Sequence, residues 1–184
     1  MQWRDTVQRE DNSKPKGFSP QSQQAQVGDA VFWYNEDSGT SHQPYPNGGE
    51  FGDWVPAIAP QHSSEQLDLD TAGTYEYQCA NHDDENGQII VAVPVAIGPS
   101  GTGDATVAPP KASAVAGQCV SWGNSDPNAH WPTPDQGPAW FAQAIQPGDI
   151  SAPITFAVAG VFTYRCAIHP DAVAEQGTIN VTES

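Results

Sequence analysis

The feature that most constrains the fold of this chain is an internal repeat. The segment AGTYEYQCANH at 72–82 recurs as AGVFTYRCAIH at 159–169, and the two cysteines lie 166 − 79 = 87 positions apart. Three further blocks recur in the same order: GDAVFWYN as GQCVSWGN, SHQPYP as AHWPTP, and ENGQIIV as EQGTINV. Blocks repeated in one order at offsets of 87–90 residues indicate a duplicated domain.

A segment typical of a linker follows the first copy. Residues 97–106 read IGPSGTGDAT, which is small, polar and rich in glycine. We therefore place a first domain at 1–98, a linker at 99–104 and a second domain at 105–184. Residues 1–15 show no counterpart in the second copy and are read as an N-terminal extension.

Within each copy, short segments with β-strand character are separated by Gly and Pro turns. The chain holds 17 glycines and 17 prolines, and no long segment shows the i, i+3, i+4, i+7 apolar spacing of a helix. The pattern predicts an all-β chain built from two tandem β-sandwiches. The segments with strand character are 29–34, 74–79, 88–95, 118–122, 153–158, 161–166 and 178–182.

Histidine and cysteine follow the repeat closely. Each copy contributes one early His and a late Cys-x-x-His, and these positions are His42, Cys79 and His82, then His130, Cys166 and His169. His62 lies outside the pattern in a polar loop, and Cys119 replaces Ala30 of the first copy as a small apolar residue. Three cysteines cannot all pair within the chain, so individual thiols are favoured over a disulfide framework.

The repeated residue types suit a transition metal. Two imidazoles and one thiolate form the ligand set of copper electron-transfer sites. Structural zinc is the alternative, but it usually takes four nitrogen or sulfur ligands. Each copy offers three repeated ligands of these types.

Each half of the chain resembles a cupredoxin, the blue-copper domain of the plastocyanin, azurin and amicyanin type. The resemblance is carried by GDAVFWYN, AGTYEYQCANH and GQIIV in the first half, and by GQCVSWGN, AGVFTYRCAIH and GTINV in the second. It implies two Greek-key β-sandwiches and two type 1-like copper sites, with two coppers per chain. The implied ligand sets are His42, Cys79 and His82, and His130, Cys166 and His169.

The sequence departs from the family at the axial ligand. Loops of this family commonly carry a methionine after the second histidine, whereas Met1 is the one methionine of this chain. Glu85 takes that place in the first loop. In the longer second loop, counting from either end gives Ala172 or Glu175, and both loops read Glu-x-Gly. Our hypothesis is that Glu85 and Glu175 are axial ligands that lower the reduction potential, because carboxylate favours Cu(II).

The resemblance implies an electron-transfer protein that serves a redox partner. The formal charge of 6 − 22 = −16 disfavours nucleic acid and anionic membranes and suits a basic partner. No apolar run approaches the roughly 20 residues of a membrane helix, and no export signal is visible. A periplasmic or extracellular location is implied by the resemblance.

Three other interpretations remain open from the sequence. A copper-binding or delivery module without redox turnover would use the same ligands. A fragment related to multicopper oxidases would need further histidines, and the chain has no His-x-His. A purely structural sandwich would not need two intact ligand sets. We expect a protein that is not an enzyme.

Overall fold

The computed structural model describes residues 2–8, 17–47, 55–100 and 105–184, with the backbone alone for 2–8. The chain divides into two compact units, Met1–Val91 and Ala92–Ser184. The division between them falls within one long strand, earlier than the boundary predicted at residue 98. Most of the predicted linker, 101–104, lies outside the described residues.

Unit 1 is built from short strands, as its turn-rich sequence predicts. They are β1 (Gln2–Gln8), β2 (Gly17–Ser19), β3 (Ser22–Gln26), β4 (Ala30–Asn35), β5 (Pro44–Pro46), β6 (Leu67–Asp68), β7 (Gly73–Cys79) and β8 (His82–Pro99). One sheet has the order β2-β1-β4-β6. The other has the order β3-β8-β7-β5 and uses the first half of β8. Two sheets that share one core make a β-sandwich.

The first strand differs from the expectation for the N-terminus. Residues 2–8 form β1, which runs parallel to β4 and antiparallel to β2. This stretch is therefore part of the first sheet and not an extension outside it. Its sequence, QWRDTVQ, is polar and does not indicate a strand. A segment of this kind can still join a sheet, because the pairing uses backbone hydrogen bonds.

Unit 2 contains the later part of β8 and seven further strands. They are β9 (Ala105–Ala108), β10 (Lys111–Val115), β11 (Cys119–Asn124), β12 (Pro132–Pro134), β13 (Ile154–Thr155), β14 (Gly160–Cys166) and β15 (Gly177–Thr182). A 3-10 turn, Val173–Glu175, precedes β15, and the described residues contain no α-helix. The predicted strands of both copies are confirmed, with shifted ends.

The strand pairing of unit 1 is repeated in unit 2. The parallel pair β1·β4 has its equivalent in residues 93–97 of β8 paired with β11. The antiparallel pairs β5·β7 and β7·β8 have theirs in β12·β14 and β14·β15. The fold is therefore all-β, with two tandem Greek-key sandwiches, as predicted.

The core of each unit lies between its two sheets. Trp33 and Trp122 are fully buried at equivalent places in β4 and β11. In β7 the inward side chains are Tyr75, Tyr77 and Cys79, following the two-residue period of a strand. The same period that packs the tyrosines therefore points the cysteine into the sandwich.

Candidate metal centres

Four side chains of unit 1 converge at one end of the sandwich. We call the group of His42, Cys79, His82 and Glu85 cluster 1. Cys79 ends β7, and the tight connection to β8 places His82 three residues further on. His42 is held by a backbone bridge to Ile58, through hydrogen bonds of 3.2 and 2.7 Å. Each donor is thus fixed by backbone pairing.

The donor atoms of cluster 1 lie within bonding reach of one small ion. The Sγ of Cys79 lies 3.6 Å from Nδ1 of His42 and 3.4 Å from Nδ1 of His82. Glu85 brings Oε2 to 2.8 Å from Nδ1 of His42 and 3.2 Å from Nδ1 of His82. Cys79 and His42 are fully buried, and Glu85 nearly so.

Unit 2 builds the same arrangement, cluster 2, from His130, Cys166, His169 and Glu175. The Sγ of Cys166 lies 3.8 Å from Nδ1 of His130 and 3.6 Å from Nδ1 of His169. Glu175 brings Oε2 to 2.8 and 3.1 Å from the same two nitrogens. The eight candidate residues from the sequence therefore lie in two groups of four, one in each unit.

The conformation of the longer loop in unit 2 shows that Glu175, and not Ala172, faces cluster 2. His169 and Ala172 close a turn in which the Ala172 N–H donates to the His169 carbonyl at 3.0 Å. The 3-10 turn that follows ends on Glu175, whose side chain is buried. The extra residues are absorbed before Glu175, so the register counted back from Gly177 is the one that corresponds to Glu85.

The donor sets fit a tetrahedral or distorted tetrahedral metal ion. All donor atoms within each cluster lie within 4.8 Å of one another. Metal bonds of about 2.0–2.3 Å to nitrogen, oxygen and sulfur imply tetrahedral donor separations of roughly 3.3–3.8 Å. The separations described above run from 2.8 to 3.8 Å. One thiol, two imidazoles and one carboxylate suit copper or zinc better than calcium or magnesium.

Comparisons with known proteins give matches among solved structures alone. No protein-family model matches the sequence, and no curated protein matches it. Among solved structures, a purple cupredoxin from Nitrosopumilus maritimus is 21% identical, with a TM-score of 0.42 over 48% of this chain and 98% of its own. A reduced Cu(I) form of an amicyanin variant is 22% identical, with a TM-score of 0.41 over 48% and 79%.

Each alignment spans about half of this chain. Independently of these matches, the His, Cys and His positions of each unit lie together at one end of an all-β fold whose strand pairing is repeated between the units.

The electrostatics of the two clusters follow from burial and close contacts. Burial by itself would lower the pKa of His42, but the Cys79 thiol and the Glu85 carboxylate beside it raise that pKa overall. Burial would raise the pKa of Glu175, but hydrogen bonds from Cys166 and the two imidazoles lower it. Burial raises the pKa of the Cys166 thiol. A metal ion entering cluster 2 must therefore displace the thiol proton.

Two aspartates beside the clusters were missed by sequence reasoning. The Asp126 carboxylate lies 3.1 Å from Nε2 of His130, and that of Asp37 lies 3.6 Å from Nε2 of His42. Their signal was present, because both copies read Asn-x-Asp directly after the tryptophan strand, at 35–37 and 124–126. Asn-x-Asp directly after a strand is also typical of an ordinary turn, so the pattern alone does not indicate a partner of a cluster histidine.

The two residues set aside in the sequence lie away from the clusters. His62 is exposed, with Nδ1 at 2.7 Å from the Pro60 carbonyl. Cys119 is a partly buried free cysteine at the start of β11, with its Sγ 3.3 Å from the Thr155 hydroxyl. Its replacement of a buried alanine in the first copy is consistent with a packing role.

The second histidine of each pair differs in exposure. The side chain of His169 is 38% exposed, whereas that of His82 is 11% exposed. Beside His169 in the sequence, the exposed residues include the apolar Ile168 and one aspartate, Asp171. Beside His82, they include two consecutive aspartates, Asp83 and Asp84. The two copies thus present different chemistry at the same place in the fold.

Proposed function

We propose that this chain is a copper electron-transfer protein with one type 1-like site in each unit. Cluster 1 and cluster 2 would each hold one copper ion, which supplies a one-electron change between Cu(I) and Cu(II) when bound. The observation that carries the proposal is the duplicate set of one thiol, two imidazoles and one carboxylate, at the same place in two copies of the cupredoxin fold.

The protein's contribution is to hold its donors still and to keep water out. His42 and His130 are fixed by paired backbone bridges, and Cys79 and Cys166 end strands whose register is set by the core. The backbone N–H of Trp131 donates to Sγ of Cys166 at 3.4 Å, which stabilises a thiolate. A donor set fixed in advance changes little between two oxidation states, so little reorganisation is needed for electron exchange.

Electrons would enter and leave through the histidines nearest to solvent. His82 and His169 are the members of their clusters with the largest exposed side-chain area. The net charge of −16 favours approach of a cationic redox partner, with a rate that falls as salt screens the attraction. A periplasmic or extracellular location suits such a carrier.

The arrangement favours electron transfer over catalysis. Among the described residues, clusters 1 and 2 are the groups of three or more metal-ligating side chains. A multicopper oxidase needs additional copper bound by further histidines, and His62 is the one histidine left over. We therefore propose no enzymatic reaction for the chain. A delivery module that releases its copper is the alternative tested below.

The visible and EPR spectra of the copper-loaded protein, together with its metal content, test this function. We expect two coppers per chain and an intense thiolate-to-copper absorption band that disappears and returns on reduction and reoxidation. Cys79→Ala and Cys166→Ala should each remove one copper and half of the band. Cys119→Ala, which changes the cysteine outside the clusters, is the control and should change neither.

Two outcomes would contradict the proposal. A colourless protein that retains zinc at both clusters would assign a structural metal. A coloured protein that gives up Cu(I) to a weak chelator at each reduction would favour copper delivery, because a carrier of electrons must keep its metal through the redox cycle.

A further inference from the structure

The early histidine of each cluster uses only one of its two ring nitrogens toward the donor set. Nδ1 of His42 and Nδ1 of His130 face the thiol and the glutamate. Both imidazoles are fully buried, so the Nε2 atoms have no access to solvent. A buried nitrogen that carries a proton needs an acceptor. What lies at Nε2 therefore bears on how each ring is held.

An aspartate lies at Nε2 in both units, but at different distances. Oδ1 of Asp126 is 3.1 Å from Nε2 of His130, within hydrogen-bonding range. Oδ2 of Asp37 is 3.6 Å from Nε2 of His42, beyond that range. The connection from Asp to His is one residue longer in unit 1, since 42 − 37 = 5 and 130 − 126 = 4. The shorter connection brings the carboxylate of unit 2 closer.

The position of Asp126 is fixed by its own neighbours. The Asn124 side-chain oxygen accepts from the Asp126 backbone N–H at 3.0 Å. The Asn124 amide in turn donates to the carbonyls of Asn128 and Ile145 at 2.8 and 2.9 Å. Asp126 also accepts from the Asn128 backbone N–H at 2.9 Å. The carboxylate is thus held against the imidazole and not free to turn away.

The chemistry of this contact selects one form of the imidazole. A neutral histidine carries a single N–H, and its other nitrogen has the lone pair that binds a metal. Without a metal, carboxylates face both ring nitrogens of His130, Glu175 at Nδ1 and Asp126 at Nε2. When a metal takes the Nδ1 lone pair, the single N–H of the neutral ring must be on Nε2, where the ionised Asp126 carboxylate accepts it. A carboxylate partner also makes the ring a stronger donor to a metal.

We infer that Asp126 is a positioning residue for cluster 2, and that it makes cluster 2 a tighter Cu(II) site than its duplicate, in which Asp37 lies too far away for the same hydrogen bond. The inference rests on the proposed function for the identity of the metal. Its structural part, a carboxylate that orients His130 for metal binding, applies to any ion with an affinity for imidazole nitrogen.

The test compares three Asp→Asn variants in the full chain. Asp126→Asn keeps an oxygen for the Asn128 contacts and removes the charge at Nε2. Asp37→Asn makes the same change in unit 1. Asp135→Asn removes the same charge from an exposed aspartate of unit 2 that pairs with Arg165 and touches no cluster residue described here. Cu(II) and Co(II) affinities and the reduction potential are measured for each cluster.

We expect Asp126→Asn to lower the Cu(II) affinity of cluster 2 about 10- to 100-fold. If Cu(I) affinity falls less, the potential of cluster 2 rises by about 59 mV for each tenfold difference. In the diamagnetic Cu(I) protein, the Nε2 proton of His130 should give an exchange-protected NMR signal that shifts in this variant. Asp37→Asn should have a smaller effect, and Asp135→Asn none. If Asp126→Asn fails to fold, judged by lost copper at cluster 1, Asp126→Ser replaces it.

The inference is overturned if Asp126→Asn matches Asp135→Asn in affinity, potential and the His130 signal. A wild-type protein that binds no copper, but loses Co(II) affinity on Asp126→Asn, would refute the proposed function and support the positioning role. A wild-type protein that binds neither ion would refute both.

Discussion

At the scale of single residues, Glu85 and Glu175 are the cluster members whose role as metal ligands most needs a test. Each places one carboxylate oxygen within 2.8–3.2 Å of both histidine nitrogens of its cluster. A carboxylate binds Cu(II) more strongly than Cu(I). Whether Glu85 and Glu175 are metal ligands stays a prediction, and its test lies in the potential.

Glu85→Gln should raise the reduction potential of cluster 1 and leave that of cluster 2 unchanged. The charge that favours Cu(II) is lost, and each tenfold loss in Cu(II) affinity relative to Cu(I) corresponds to about 59 mV. Voltammetry of the copper-loaded protein measures it. Glu76→Gln, which removes an exposed charge from the outer face of β7, is the control. Equal potentials for the two variants would argue against ligation by Glu85.

Much of each site could be predicted at this scale, for a physical reason. Two duplicated sets of His and Cys at fixed spacing leave little choice of ligands, so six residues follow from comparison of the copies. Glu175 could be assigned only from the structure. The second loop contains an insertion, so counting from its two ends gives two different residues, Ala172 and Glu175. Asp126 contacts a cluster histidine through a hydrogen bond, and Asp37 lies beside the equivalent histidine at 3.6 Å. Sequence spacing alone does not distinguish such a neighbour of a cluster residue from a turn residue.

At the scale of elements, the Glu-x-Gly motif connects the glutamate of each cluster to the core. A side chain at Gly87 would place its Cβ 2.5 Å from the Tyr77 ring, which is almost fully buried against Phe18 and Trp33. Tyr164 crowds Gly177 in the same way. The glycine therefore lets the strand that carries the glutamate lie directly on the tyrosine of the neighbouring strand.

Gly87→Ala should destabilise the protein by about 1–3 kcal/mol, the range for overpacking a filled core. The Tyr77 ring cannot move away, because the rings of Phe18 and Trp33 pack edge to face against it, with centroid separations of 4.7 and 5.5 Å. Denaturant unfolding measures the change. Gly73→Ala in β7 is the control, since its new Cβ would meet the Tyr75 ring at 3.7 Å, an ordinary contact. A midpoint for Gly87→Ala equal to that of Gly73→Ala would contradict the packing argument.

The elements themselves were largely predictable, except at the N-terminus and at the division between units. Strands with alternating or β-branched residues were found because burial on one face leaves a two-residue pattern. The strand at Gln2–Gln8 carries no such pattern. The division inside β8 was missed because one continuous apolar strand, 88–97, gives no sequence break where it passes from one unit to the next.

At the scale of the whole molecule, the two units present the same set of donor residues in different surroundings. His169 is more than three times as exposed as His82, with 38% against 11% of its side chain accessible. Two exposed aspartates, Asp83 and Asp84, follow His82 directly, whereas His169 is flanked by the exposed apolar Ile168 and has one aspartate, Asp171, two residues further on. The rate of electron exchange depends on approach to the histidine edge, so the two sites should differ toward the same reagent.

Variants that retain one site each make this difference measurable. Cys79→Ala leaves cluster 2, and Cys166→Ala leaves cluster 1. With a small cationic redox complex at high salt, cluster 2 should exchange electrons faster, because its histidine edge is more exposed. As salt is lowered, the rate of cluster 1 should rise more steeply, because Asp83 and Asp84 attract the cation most strongly where screening is weak.

Stopped-flow measurements at several ionic strengths give the rate at high salt and the dependence of the rate on salt for each cluster. Asp83→Asn combined with Asp84→Asn, in the Cys166→Ala background, should reduce the salt slope of cluster 1 toward that of cluster 2. The same pair of changes in the Cys79→Ala background should alter the slope less. If both clusters kept equal salt slopes throughout, the attraction would come from the overall charge of −16 and not from the residues beside each histidine.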